Sequence, residues 1–159
     1  MTFHIERATE RDVPLILRLI KELAEYEKLA HMAVATEATL RKWLFEKRAA
    51  EVIIGYAGDE PAGFALYFQI FSTFLGIPGL YLEDLFVAPP WRRQGLGQAL
   101  LVHLAKIAIE RGYGRVEWTV LDWNELAIGF YKKLGARSMD EWTLFRLTGD
   151  SIRALAEAK

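Results

Sequence analysis

A strand that leads through a glycine-rich turn into a long helix constrains the fold of this chain more than any other feature. The run Leu80–Val87 is mostly apolar and stops at Pro89-Pro90, as expected of a strand. Apolar residues then dominate from Gly95 to about Arg111, and Gly112 follows, which is typical of a long helix and its C-terminal glycine. The segment therefore predicts a strand–turn–helix unit within a mixed α/β protein.

Helical and strand-like patterns flank this unit on both sides. Thr9 and Asp12 form a capping signal before an amphipathic helix that reaches about residue 28, with Pro14 tolerated in its first turn. A second helix is expected after Thr36, with Leu40, Trp43 and Leu44 on its buried face. The remaining predicted elements are strands at 3–8, 52–57, 62–71 and 115–121, a helix at 125–134, strand-like segments to about Leu147 and a short C-terminal helix. This order predicts one α/β (α+β) domain over residues 1–159, in which an antiparallel meander leads into a strand–helix–strand–helix unit.

The composition narrows the classes of function. The chain has 159 residues, of which 52% are hydrophobic and 26% charged, as in a folded globular protein. It contains no cysteine, so disulfides, thiolate metal sites and a cysteine acyl-enzyme are excluded, and its three histidines show no metal-ligand spacing. The net charge of −1 gives no nucleic-acid signature. No run is long and apolar enough to span a bilayer and the N-terminus is charged, so no membrane association and a cytoplasmic location are expected.

The glycine turn Arg92-Arg93-Gln94-Gly95-Leu96-Gly97 predicts a phosphate site. Glycines let a ligand approach the backbone, the free N–H groups of a helix start attract phosphate oxygens, and two arginines add charge. A dinucleotide fingerprint requires a third glycine, but position 100 is Leu, and the Gly-Lys-Ser/Thr of a P-loop is absent. A cradle of another kind remains, beside the alternative of an ordinary turn and helix cap.

Two adjacent acids interrupt the strand Leu80–Val87. Alternation places Asp84 on one face and Glu83 on the other, within a strand that is otherwise apolar on both faces. Burial of an unpaired carboxylate is costly, so both acids are expected to be paired or to line a functional cavity. The alternative is a sheet edge at which both reach water.

Tyr131 is the residue of the helix 125–134 to which two roles can be assigned. It lies on the apolar side of that helix, where a tyrosine is usually a core aromatic. Its phenol, with a pKa near ~10, also suits protonation of a departing thiolate. Periodicity does not choose between these roles.

Two blocks together resemble the GNAT acetyltransferases: Arg92-x-x-Gly95-x-Gly97 after the strand, and Asn124 through Phe130-Tyr131-Lys132-Lys133-Leu134-Gly135-Ala136. Within that superfamily, the chain is similar over nearly its whole length to the diamine (spermidine/spermine and thialysine) acetyltransferases. This closer similarity is carried by the stretches 20–27, 81–87 and 123–125. On the substrate side, Glu117-Trp118-Thr119 differs from the histidine and phenylalanine of the animal enzymes.

The resemblance implies a GNAT fold, with a splayed, mostly antiparallel seven-stranded sheet flanked by about four helices. It also implies an acetyl-CoA-dependent N-acetyltransferase that needs no metal. The acetyl group would pass directly, in a ternary complex, to a primary amine of a small polyamine-like or amino-acid-like substrate. Glu83 matches the position that accepts the amine proton, and Tyr131 matches the general acid. The positions implied to contact acetyl-CoA are Leu85, Phe86, Val87, Arg92, Arg93, Gln94, Gly95, Leu96, Gly97, Gln98, Asn124, Ala127, Tyr131 and Lys133. Those implied to lie near the amine substrate are Tyr26, Glu27, Glu83, Asp84 and Trp142.

Two other functions stay open at this point. One is acetylation of a different amine, such as an aminoglycoside or a protein N-terminus, and the other is a non-catalytic acyl-CoA-binding module. Retention of both Glu83 and Tyr131 favours an enzyme over the module. The family resemblance further implies a homodimer.

Overall fold

The computed structural model describes residues 2–159 and shows, within them, a sheet of five strands and five α-helices. The strands are β1 (Phe3–Arg7), β2 (Glu51–Ala57), β3 (Glu60–Ser72), β4 (Ile77–Val87) and β5 (Val116–Trp118). The helices are α1 (Val13–Tyr26), α2 (Glu37–Leu40), α3 (Leu96–Glu110), α4 (Glu125–Lys133) and α5 (Gly149–Ala156). The chain forms two compact units, one ending at Leu121 and the other beginning at Asp122. No helix among the described residues has both the length and the apolar character that crossing a membrane requires.

The sheet has the order β1-β2-β3-β4-β5. Strands β1 to β4 pair antiparallel in sequence, and β5 pairs parallel to β4 after the crossover through α3. The predicted meander followed by a strand–helix–strand unit is therefore confirmed.

The predictions of seven strands and about four helices are wrong. The strand expected at 115–121 is shortened to Val116–Trp118, and within residues 2–159 no strand follows it. The segment before Leu147 has residues of high strand propensity, but no described strand pairs with it, and an unpaired segment gains no ladder hydrogen bonds. The number of α-helices is five rather than about four, and two of them, α2 and α5, are short.

The start of α1 follows its sequence signal. The backbone N–H of Thr9 donates to Oδ2 of Asp12 at 2.7 Å, and Pro14 lies in the first turn, where no helical N–H is needed. Both features were predicted, and the Thr9–Asp12 capping box belongs to the 3-10 turn Glu10–Asp12 that leads into α1.

One face of the sheet is covered by α1 and by a π-helical turn, Arg41–Glu46, that continues α2. The core on this face joins Ile16 and Leu19 of α1 to Ile54, Phe64 and other buried residues of β2–β4. The expectation that Trp43 is buried is wrong, since its side chain is 51% exposed, whereas Leu44 is buried. A π-helix pairs residue i with i+5 rather than i+4, so α-helical spacing misplaces the buried face.

The opposite face receives α3 through two glycines that pair with each other across β2 and β3, Gly55 and Gly63. We call this pair the glycine notch. A Cβ on Gly55 would lie 2.6 Å from Cδ1 of Leu96, the first residue of α3, and a Cβ on Gly63 would lie 2.4 Å from the carbonyl oxygen of Phe86. The missing side chains therefore allow the start of α3 to lie close to the sheet.

The other end of α3 is held by an ion pair. Arg111, just after the last residue of α3, donates two hydrogen bonds to the Glu51 carboxylate, at 2.6 and 2.8 Å. Arg7 of β1 also pairs with Glu51 at 3.0 Å. These contacts hold the pKa of Glu51 below its usual value and tie α3 to β1 and β2.

Candidate functional site

The sheet opens beyond the middle of β4. Strand β5 pairs with β4 from Leu80 to Leu82, whereas β4 continues to Val87 and is still paired with Gly63 of β3 at that point. Within residues 2–159 no strand covers the β5-side edge of β4 after Leu82. The backbone groups along this edge are available to an extended ligand, which binds such an edge as an added strand does. Leu85, Phe86 and Val87, which the family resemblance assigns to acetyl-CoA, lie on this segment.

A β-bulge lies where the sheet opens. Leu66 of β3 pairs with Asp84, but the next residue, Tyr67, pairs with Leu82, so Glu83 is an extra residue without an opposite partner. The strict alternation expected for β4 is broken at this position. The Glu83 side chain is exposed, whereas Asp84 is half-buried. The two acids therefore have different environments although they are adjacent in sequence.

Asp84 has a strongly raised pKa. Burial, together with the negative charges of Glu83 and Glu27, raises the pKa of its carboxyl group to about 7. Glu27 directly follows α1, and partial burial raises its pKa as well. We call Glu27, Glu83 and Asp84 the acidic cluster. A group of carboxylates that repel one another at the surface of a cleft favours the binding of a cation.

The glycine turn leads into an uncapped helix start. Gly95 precedes α3 with φ of 93°, a left-handed conformation suited to glycine, and no side chain caps the first turn of α3 within the described residues. A Cβ at Gly95 would meet nothing within 4 Å, and one at Gly97 would meet only Cγ2 of Val87, at 3.9 Å. The turn thus leaves room beside both glycines and no side chain on the first N–H groups of α3, which fits the pyrophosphate of a coenzyme.

The two arginines of this turn are placed differently. The Nε–H of Arg92 donates to the carbonyl oxygen of Val87 at 2.8 Å, and its guanidinium lies 4.6 Å from the ring centroid of Tyr26 and 5.6 Å from that of Phe86. Arg93 is exposed and has φ of 61°. Gln94 donates from Nε2 to the carbonyl oxygen of Pro90 at 3.1 Å, which steadies the turn.

The second unit contains the other predicted residues. Asn124 caps α4 by accepting a hydrogen bond from the Ala127 N–H at 3.3 Å. The ring of Tyr131 lies 5.6 Å from that of its neighbour Phe130, and both residues are half-buried. Lys133 ends α4 and is exposed, and Trp142 is exposed in the segment between α4 and α5.

Three features of the site escape the sequence patterns considered above: the bulge at Glu83, the glycine notch and the stacking of Arg92. The notch could have been found from the sequence, because a glycine inside a strand, such as Gly55 or Gly63, indicates a bulge or a close approach of another segment. The bulge and the stacked arginine depend on residues distant in sequence, so no local sequence pattern indicates them. Among residues 2–159 no group of three or more histidines and acids is arranged to hold a metal ion.

Comparison with known proteins gives consistent results. The sequence profile of the Acetyltransferase (GNAT) family matches residues 16–136. The chain is 35% identical to L-ornithine N5-acetyltransferase NATA1 of Arabidopsis thaliana, over 98% of this chain and 88% of that protein. It is 39% identical to the thialysine N-epsilon-acetyltransferase of Sus scrofa, over 96% of each. The structure superposes on an integron cassette protein, VCH_CASS6, from the mobile metagenome of V. cholerae with a TM-score of 0.84 at 31% identity, covering 99% of both chains.

Proposed function

The chain belongs to the GNAT acetyltransferase family and is an acetyl-CoA-dependent amine N-acetyltransferase, and we propose that its acceptor is a small primary amine carrying a second cationic group. Ornithine, thialysine and short diamines share this chemistry, because each has a primary amine on a flexible chain and a further amino group. The transfer is direct, within a complex that holds donor and acceptor together.

The acidic cluster is the observation that carries this proposal. Three carboxylates lie close enough for the charges of Glu83 and Glu27 to act on Asp84, whose pKa is already raised by burial. A cation bound among them relieves this repulsion and lowers the pKa of Asp84 again. An acceptor with two amino groups satisfies the cluster better than a monoamine, since one nitrogen must be neutral to react while the other stays charged.

We propose that the acetyl-CoA pyrophosphate binds at the turn 93–98 and the first N–H groups of α3, where no side chain caps the helix within the described residues. The open edge of β4 at Leu85, Phe86 and Val87 supports binding of the extended arm of the coenzyme. Contacts from Asn124, Ala127, Tyr131 and Lys133 rest on the family resemblance.

The chemistry assigned to the side chains follows from their proton affinities. A primary ammonium with a pKa of ~10.4 must lose a proton before its nitrogen can attack. Glu83 accepts this proton on a carboxylate oxygen, directly or through water, while Asp84 and Glu27 hold the second cation. Bound acetyl-CoA supplies the thioester whose acetyl group is transferred. A backbone N–H near Val87 donates to the acetyl oxygen, and the Tyr131 phenol donates its proton to the departing sulfur.

The acceptor is tested with a matched pair of amines, butylamine and 1,4-diaminobutane, in a thiol-release assay. The diamine is expected to have a kcat/KM about 10-fold or more above that of the monoamine, as for one charged hydrogen bond in a partly buried site. Asp84→Asn should remove most of this preference. Asp59→Asn, at an exposed carboxyl in the β2–β3 turn, is the control and should retain it.

Ornithine, thialysine, an aminoglycoside and a peptide with a free N-terminus complete the panel. Equal turnover of butylamine and 1,4-diaminobutane by the wild-type protein would contradict the diamine-type acceptor. A clear preference for the aminoglycoside or the peptide would identify another acceptor class. Tight acetyl-CoA binding without turnover of any amine would contradict the enzyme and favour a binding module.

We also propose a homodimer that resides in the cytoplasm, where acetyl-CoA is available as donor. The β3–β4 hairpin exposes Phe71, Phe74 and Leu75, with Phe74 97% exposed, and an apolar patch of this kind supports self-association. Sedimentation equilibrium is expected to give twice the mass of the chain, and a monomer at micromolar concentration would contradict the dimer.

A further inference from the structure

The side chain of Arg92 is held by neighbouring groups of the protein. It donates to the Val87 carbonyl at 2.8 Å and stacks on the rings of Tyr26 and Phe86, at 4.6 and 5.6 Å from their centroids. Arg92 is half-buried, whereas Arg93, its neighbour in the same turn, is exposed. A guanidinium that already has a hydrogen bond and an aromatic face is poorly suited to follow a mobile phosphate.

The partners of Arg92 belong to both halves of the proposed reaction site. Tyr26 is the last residue of α1, and the next residue, Glu27, belongs to the acidic cluster. Val87 ends β4, beside the edge proposed to bind acetyl-CoA. Arg92 is thus the contact through which the glycine turn reaches the end of α1.

The end of α1 is closed by backbone hydrogen bonds. The chain turns back directly after Glu27, where Lys28 has φ of 61° and its N–H donates to the Glu25 carbonyl at 3.0 Å. The next N–H, that of Leu29, donates to the Ala24 carbonyl at 2.8 Å. A side chain that fixes Tyr26 therefore also fixes the position of the Glu27 carboxylate.

We propose that Arg92 is a positioning residue for the acceptor amine, and that Arg93 supplies the charge that the coenzyme pyrophosphate meets. This inference rests on the proposed function for its kinetic consequences. Arg92 acts through Tyr26, which keeps Glu27 within range of Asp84. Lysine cannot replace it, because an ammonium group has neither the planar face that stacks on a ring nor the Nε–H that reaches Val87.

The test separates amine binding from coenzyme binding. Arg92→Met is expected to raise KM for 1,4-diaminobutane by about 10-fold while the Kd for acetyl-CoA changes less than about threefold, as for loss of one cation–π contact and one hydrogen bond. Arg93→Met is the matched control in the same turn, with the reverse expectation: weaker acetyl-CoA binding and little change in KM for the diamine. Arg92→Lys should resemble Arg92→Met.

Substitutions of Tyr26 test the same contact from the other side. Tyr26→Leu removes the ring and should raise the diamine KM as Arg92→Met does, and the double variant should be no worse than either single one. Tyr26→Phe keeps the ring and should raise KM less than Tyr26→Leu. The melting temperature of the same four proteins (wild type, two single variants and the double) should show the same non-additivity without any need for turnover.

Two results would overturn the proposal. One is an increase in the acetyl-CoA Kd for Arg92→Met as large as that for Arg93→Met, with an unchanged diamine KM, which would make Arg92 a coenzyme ligand. The other is strict additivity of the melting-temperature shifts of Arg92→Met and Tyr26→Leu. Failure of the proposed function would be distinguishable, because the wild-type protein itself would then not acetylate the diamine.

Discussion

Replacement of Gly55 by alanine tests whether the start of α3 is seated by the glycine notch. The new Cβ would lie 2.6 Å from Cδ1 and 3.3 Å from Cδ2 of Leu96, a buried side chain that must move. Overpacking of this kind costs about 1–3 kcal/mol, and the reduced freedom of alanine in the unfolded chain returns about 0.4–1 kcal/mol. Gly55→Ala is therefore expected to lower the free energy of unfolding by about 1–2 kcal/mol.

Removal of the Leu96 side chain gives a second background for the same substitution. Leu96→Ala alone should cost about 2–5 kcal/mol, because it empties a buried site. In that background the atoms that clash with the new Cβ are gone, so Gly55→Ala should become neutral or stabilise by up to about 1 kcal/mol. Gly63→Ala is the contrast, since its Cβ would meet the Phe86 carbonyl at 2.4 Å, and its cost should persist.

The assay is urea unfolding followed by circular dichroism for the wild type, the three single variants and the two doubles. Acetyl-CoA titrations of the same proteins show whether a displaced helix start also weakens coenzyme binding. An equal cost of Gly55→Ala with and without the Leu96 side chain would refute the notch as the reason for glycine at this position.

Three further outcomes are expected. The pKa of Asp84 is about 7 in the folded protein against an ordinary 3.8, so between these values the folded state keeps a proton that the unfolded state loses. The free energy of unfolding should therefore fall as the pH rises from about 4 to 7. Urea unfolding at several pH values should show that this free energy depends less on pH in Asp84→Asn than in the wild type. Tyr131→Phe should lower kcat by about 10- to 1000-fold with little change in the acetyl-CoA Kd, and full activity would exclude it as the acid. In Gly97→Ala the new Cβ meets no atom closer than 3.9 Å and alanine favours the helix, so the melting temperature should rise. The same substitution should weaken acetyl-CoA binding, as measured by calorimetry. An unchanged affinity would place the coenzyme elsewhere.

Local patterns predicted most of the regular structure because they depend on neighbouring residues. The cap of Thr9 and Asp12, the glycine after α3 and the apolar runs of β2 and β3 all act within a few residues, and the elements they predicted are present. The errors arise where the partner is distant or the spacing changes. Trp43 was misplaced by a π-helical turn, and the strand expected before Leu147 has no strand beside it in the described part of the chain.

The site was predictable in its residue types but not in its geometry. Two acids in an apolar strand and a glycine turn before a helix indicated the region of the candidate site. Sequence alternation could not show that Glu83 is the extra residue of a bulge, because that depends on the pairing of Leu66 and Tyr67 in another strand. Nor could it show that Arg92 turns back onto Tyr26, since the two residues are adjacent only after α1 and β4 have packed.

The bulge in β4 has a consequence for experiments on Glu83. Since Glu83 has no residue opposite it in β3, its identity can change while every cross-strand pair on either side stays in register. Deleting it would leave Leu82 and Asp84 opposite the same partners as before. Substitutions at this one position therefore test whether the Glu83 carboxylate accepts the amine proton, because a loss of activity would not arise from a changed register of the sheet.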